Sequence, residues 1–259
     1  MPPGRIRPED QVPERKAGKN TAIFLPDYSL PHKGGEYPDL SPLEGAREEV
    51  VAIQKLVHGK VYRSTHATER EFRAAVSGYQ VLHLAAHTLI DEKIPSLSSL
   101  VMSPPADSMD DGLLHSYELY QMKLRARLVV LSSCNTGYGK LQYGEGLLSL
   151  TRSFFLTGVR SVAYTQWPLV DKTGALIITG FYDGMVEGQN LEVALRAAKL
   201  GYLSVADPVK SHPYFWAGYV LVGNTDPIEL SRRFPIIVWF LVIVTAGISG
   251  YWIYRRFIS

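Results

Sequence analysis

The sequence predicts an α/β domain: a mostly parallel sheet with helices on both faces, followed by a C-terminal transmembrane helix. Three observations lead there. Short, uninterrupted apolar runs such as Val81–Ala86 and Leu128–Leu131 alternate with longer segments of helical period. That alternation belongs to parallel strands buried on both faces and joined by helical crossovers. The stretch from Phe234 to Tyr254 carries no charge, and about 20 residues at a rise of about 1.5 Å span a hydrocarbon core. The chain of 259 residues, 46% hydrophobic and 20% charged, is long enough to bury one large core.

Residues 1–19 are rich in proline and charge and are expected to be disordered. The folded domain is expected over residues 20–226. Thr21–Leu25 reads as its first strand, and Ser29–Asp39, with Gly34-Gly35 and two prolines, as a loop. Ser41-Pro42-Leu43-Glu44 has the form of a capping box with proline at the first helical position. The helix it opens aligns Ala46, Val50, Ile53 and Val57. A second box, Thr68–Glu71, opens a shorter helix through Phe72 and Val76, and the strand that follows delivers His87 at its end. Leu97–Met102 reads as a strand, Pro104–Gly112 as a loop and His115–Tyr120 as one or two helical turns. After the strand before Cys134 comes a helix over Gly144–Leu156, with Leu147, Leu148, Thr151, Phe154 and Phe155 toward the core. Ser161–Tyr164 is a strand, Asp171–Glu187 and Leu191–Leu203 are helices, and Tyr214–Val222 closes the sheet. Residues 234–254 form the membrane helix, flanked by Arg232-Arg233 and Arg255-Arg256, with Trp239, Tyr251, Trp252 and Tyr254 near its ends.

Composition narrows the function. A net charge of +2 without a basic stripe gives nucleic acid no footprint. One cysteine rules out an internal disulfide and a multi-cysteine zinc site; no metal and no cofactor is expected. Met1–Arg5 lacks an apolar stretch behind it, so a single-pass tail anchored from the cytoplasmic side is the expected localisation. Ala246 and Gly250 form a small-xxx-small pair suited to helix-mediated self-association.

The chemistry centres on Cys134 and His87. Each follows a buried-strand run, and reactive side chains at the ends of parallel strands meet at one sheet edge, where α/β ligand sites form. A free thiol has a pKa of about 8.5, and a neighbouring imidazole takes its proton or stabilises the thiolate. The bland reading of a lone cysteine is an inert core thiol. The strand-to-glycine turn Cys134-Asn135-Thr136-Gly137 favours chemistry. His83 reads as a structural histidine beneath the site, on the same side of its strand as His87. Glycines 137, 139, 144 and 146 suggest a phosphate loop, but Gly139-Lys140 continues into Leu141, without the Ser or Thr that magnesium needs. A peptide-binding or mobile loop that includes Gly137 fits better. Trp167, after a strand and before Pro168, suits a substrate-groove wall or ordinary core. Asp171 suits a helix cap.

His83-Leu84-Ala85-Ala86-His87, Leu131–Gly137, Gly144-Glu145-Gly146, Gln166–Asp171 and His212–Tyr219 together resemble the CHAT domain. This is a caspase-like cysteine peptidase family often found beside tetratricopeptide repeats in bacteria. The spacing from His87 to Cys134, 134 − 87 = 47 residues, is close to that of caspases, about 50. The resemblance implies a caspase-like sheet and a His87–Cys134 dyad. It also implies an oxyanion site made by the backbone N–H groups of Cys134 and Thr88, and a substrate groove reached by Asp171. The family usually places glycine where this chain has Thr88, which keeps the N–H but restricts the backbone. The expected function is a membrane-anchored cysteine endopeptidase that cleaves a protein substrate through an acyl-enzyme. A regulatory protein on another chain would replace the missing repeats. The alternative is a catalytically weak or inactive scaffold of the same fold that binds a protein partner at the membrane.

Overall fold

The computed structural model describes residues 19–29, 40, 42–104, 110–132, 145–167, 169 and 171–232. Its strands, in chain order, are β1 (Lys19–Leu25), β2 (Gly59–Arg63), β3 (Tyr79–Leu84), β4 (Thr88–Leu89), β5 (Ser99–Val101), β6 (Leu113–His115), β7 (Leu128–Leu131), β8 (Ser161–Thr165) and β9 (Tyr219–Gly223). The helices are α1 (Glu44–Leu56), α2 (Glu69–Ala75), α3 (Ser116–Leu119), α4 (Glu145–Leu156), α5 (Asp171–Val186), α6 (Leu191–Val205) and α7 (Pro213–Trp216). The main sheet runs β2-β1-β3-β7-β8-β9. All neighbours are parallel except β8 and β9. A smaller antiparallel sheet, β4-β5-β6, stands beside the ends of the central strands.

Every residue of β3 and β7 is buried, as strands covered on both faces must be. One face packs Val50 and Ile53 of α1, Phe181 and Met185 of α5 and Ala194 of α6 against Ile23, Val81 and Val130. The other packs Phe72 of α2, Leu119 of α3 and Phe154 of α4 against Phe24, Leu82 and Val129. Helices α5 and α6 approach closely because Gly184 lies against Ala194: a Cβ added at Gly184 would stand 2.8 Å from the Ala194 Cβ.

Several sequence expectations shift. Strand β1 begins at Lys19, inside the stretch expected to be disordered, and residues 1–18 lie outside the described residues. Helix α1 starts at Glu44 with Leu43 at the N-cap and no side-chain cap, so Pro42 stands before the helix. Thr68 caps α2 as expected, its hydroxyl accepting from the Glu71 N–H at 3.2 Å. Strand β2 had no apolar run to announce it, since only Tyr62 is buried, stacked on Phe24 at 4.5 Å. The Leu97–Met102 strand narrows to β5 and belongs to the small sheet. His115 closes a strand before α3, and Tyr214 lies in α7 because Pro213 and the His212 cap start a helical turn there. Leu150 and Phe154 of α4 are core, Phe155 is half-buried, and the side chains of Leu147 and Leu148 lie outside the description.

After β9 the chain crosses the edge where the parallel strands begin. The Gln80 side chain donates to the Glu229 carbonyl at 3.4 Å, Arg232 bridges to Val57, and its guanidinium meets Asp183 at 2.8 Å. Among the described residues no helix is long and apolar enough to cross a membrane; the expected span, 234–254, lies outside them.

Glu69 is buried in a charged cluster where Arg73 contacts both Glu69 and Glu118. Burial raises its carboxyl from 4.5 to about 7, with Glu118 and Asp110 adding to the shift and Arg73 opposing it. A folded-state value above the unfolded one stabilises the fold below about pH 4.5, and that contribution is lost as pH rises through about 7. Urea denaturation at several pH values is expected to show stability falling across this window, and Glu69→Gln to flatten the fall. Gly184→Ala is expected to destabilise by about 1–3 kcal/mol in the same assay, overpacking outweighing the better helix propensity of alanine.

Candidate functional site

The ends of β1 and β3 flank the point where strand order reverses, since the chain passes from β1 outward to β2 and then back to β3. Ligands of open α/β sheets bind at such a crevice. Strand β3 ends at Leu84, three residues before His87, so the same-side relation of His83 and His87 expected from strand periodicity does not carry through. Instead, the Ala85 N–H still pairs with the Phe24 carbonyl at 2.9 Å, and the chain then crosses to the small sheet.

His87 is 2% exposed and its backbone is held on both sides. Its N–H donates to the Tyr28 hydroxyl at 2.8 Å, and that hydroxyl donates to the Val101 carbonyl at 2.9 Å. The His87 carbonyl accepts from the Val101 N–H at 2.8 Å. The Tyr28 ring meets the imidazole edge-on, with centroids 4.6 Å apart. Burial pushes the Tyr28 hydroxyl well above its usual range, so it keeps the proton this bridge uses. No sequence signal marks Tyr28, because the contact joins residues far apart in the chain.

Thr88 pairs with Leu100 across the antiparallel ladder. The bond from Val101 to His87 makes this a non-hydrogen-bonded pair, which turns the Thr88 N–H away from β5. Among the described residues Ser64 alone has a positive φ without being glycine. Thr88 therefore occupies extended backbone, which β-branched residues favour, and the absence of glycine imposes no strain there.

Cys134 and Gly137 lie outside the described residues. Strand β7, which leads to them, pairs with β3 in the register Leu84↔Leu131, and the Ser132 N–H continues the ladder to the Leu84 carbonyl at 3.2 Å. Beneath this edge His83 is fully buried, as the sequence suggests for a structural histidine. Its Nδ1 is 3.2 Å from the Tyr182 hydroxyl, and its Nε2 is 3.3 Å from Ser132 Oγ and 2.7 Å from Glu49 Oε1. Glu49 and Tyr182 carried no signal in the sequence, where each sits on the apolar side of an amphipathic helix.

Trp167 follows the end of β8 and is partly buried. Its indole N–H donates to the Tyr214 carbonyl at 2.8 Å and its ring stacks on Tyr214 at 6.4 Å. It thus ties the β8 exit to α7. Asp171 opens α5, and its side chain lies outside the description. An open cavity of about 550 Å³ runs along β4, lined by Leu89, Asp91, Glu92, Leu113 and His115 among others. Among the described residues no group of three His, Cys, Asp or Glu side chains is placed to hold a metal ion.

The chain is 26% identical over 221 residues to tetratricopeptide repeat protein 28 of Mus musculus, covering 71% of this chain and 9% of that protein. For the Homo sapiens protein of the same name the identity is again 26%, covering 71% and 8%. The chain thus spans less than a tenth of the length of these curated relatives. Among solved structures, it is similar to the Saccharomyces cerevisiae separase–securin complex, at 13% identity and TM-score 0.49, covering 83% of this chain and 12% of that one. It is also similar to the Arg-specific cysteine proteinase gingipain R, at 8% and 0.48, covering 81% and 47%. The third is the Drosophila initiator caspase Dronc, at 8% and 0.43, covering 82% and 81%. The CHAT domain model matches residues 9–224, a range that contains every described strand and helix, and the chain belongs to that family.

Proposed function

We propose that this chain is a cysteine endopeptidase in which Cys134 attacks a peptide carbonyl and His87 manages the proton. One observation carries the reading: the register Leu84↔Leu131 puts His87 and Cys134 each three residues beyond a paired position on adjacent parallel strands. Neighbouring strands lie about 4.8 Å apart and three residues reach at most about 11 Å, a spacing that supports a dyad of the two side chains. The Cys134 thiol gives its proton to the imidazole as sulfur bonds to the carbonyl carbon. The imidazolium returns that proton to the departing amine, leaving an acyl-enzyme that an activated water hydrolyses. The Thr88 N–H, free of the β4–β5 ladder, and the Cys134 N–H are the donors assigned to the developing oxyanion.

The substrate is a protein or peptide, and the tetratricopeptide repeat relatives support a protein as regulator too. Residues 234–254, uncharged throughout, anchor the domain in a membrane with the peptidase on the cytoplasmic side. Trp167 and Asp171 border the groove from the β8 side.

A thiol-directed peptidyl probe is expected to label the full-length wild type, and neither Cys134→Ala nor His87→Ala; mass spectrometry of the labelled protein reads this directly. Labelling that survives both changes sinks the reading. Binding of peptide without turnover, unchanged in Cys134→Ser, would select the inactive scaffold instead. Thr88→Ala and Thr88→Gly, which keep the backbone N–H, are both expected to retain labelling rates comparable to wild type.

A further inference from the structure

The buried group formed by Glu49, His83, Tyr182 and Ser132 has no part in the mechanism above. Glu49 is 4% exposed and His83 0%, and burying a carboxylate beside an imidazole is a poor way to stabilise a sheet. Ile23, Val81, Ala85 and Val130 around His83 on this face are all hydrophobic. The cluster converges on one nitrogen: His83 Nε2 has Glu49 Oε1 at 2.7 Å and Ser132 Oγ at 3.3 Å. A buried polar cluster of this kind calls for an explanation beyond packing.

Location supplies one. A carboxylate at that distance keeps the hydrogen on His83 Nε2, which is then a donor toward Ser132 Oγ, 3.3 Å away. The Tyr182 hydroxyl, held protonated by burial and by the charge of Glu49, meets Nδ1 at 3.2 Å and fixes the ring from behind. Ser132 is thus tied twice to β3, by its N–H to Leu84 and by its hydroxyl to His83. Two residues later in the chain comes Cys134.

We propose that Glu49, His83 and Ser132 are positioning residues for Cys134: the Glu49–His83 pair holds the Ser132 hydroxyl and so fixes where the chain leaves β7. None of the three touches substrate. The inference deepens the peptidase reading and rests on it for the role of Cys134, but its test does not need turnover.

Because Cys134 is the sole cysteine, alkylation of the full-length protein by iodoacetamide reports on it alone. Ser132→Ala, which removes one hydroxyl, is expected to slow alkylation at neutral pH about tenfold, the scale of a sub-ångström misplacement. Ser132→Thr is expected to restore the rate. Glu49→Gln should give the same loss, with no further loss in the double variant, because the two act through one contact. Thermal unfolding of Ser132→Ala should stay at the wild-type midpoint, separating positioning from stability. Wild-type alkylation in Ser132→Ala, or losses that multiply in the double variant, would overturn the proposal. If the alkylation losses appear but a peptidyl probe fails to label the wild type, positioning stands and the peptidase reading falls.

Discussion

The site depends on one hydroxyl. Tyr28, just past the end of β1, accepts from the backbone of His87 and donates to the backbone of Val101, so it joins the parallel sheet to the small antiparallel one. Without that bridge the buried His87 N–H and Val101 carbonyl would each lose this hydrogen-bond partner. With it, the imidazole is set from one side by backbone bonds and a ring contact.

The parallel sheet explains why so much chemistry gathers at one edge. Strands β1, β3, β7 and β8 all run the same way, so their exits bring Tyr28, His87, Ser132 and Trp167 to the same side of the molecule. The cores on the two faces are built from helices far apart in sequence, and α5 and α6 close on each other through Gly184 and Ala194. Rigidity beneath the edge comes from this packing; placement at the edge comes from a few polar contacts.

The sequence was most legible where burial sets the pattern. The runs at β7 and β8 and the long periods of α5 and α6 appeared nearly at their true limits, because strands and helices covered by core have little freedom in composition. The motif residues His83 and His87 were visible for the same reason, each standing out in an apolar run. Elements that bury little were hidden: β2 offers one buried side chain, and β4 has only two residues. Glu49, Tyr182 and Tyr28 were invisible, since each acts across the fold and none breaks the local pattern. Thr88 looked like a liability beside the glycine usual in the family. Its extended strand backbone removes that objection, and only tertiary pairing with Leu100 reveals it.

The last described residues carry a further consequence. Arg232 is pinned to Asp183 and Val57 at the floor of the sheet, where the parallel strands begin, whereas His87 stands at the roof. The six residues of β3 set those levels about 20 Å apart. The described backbone therefore ends on the side opposite the strand exits, away from Tyr28, His87 and Trp167.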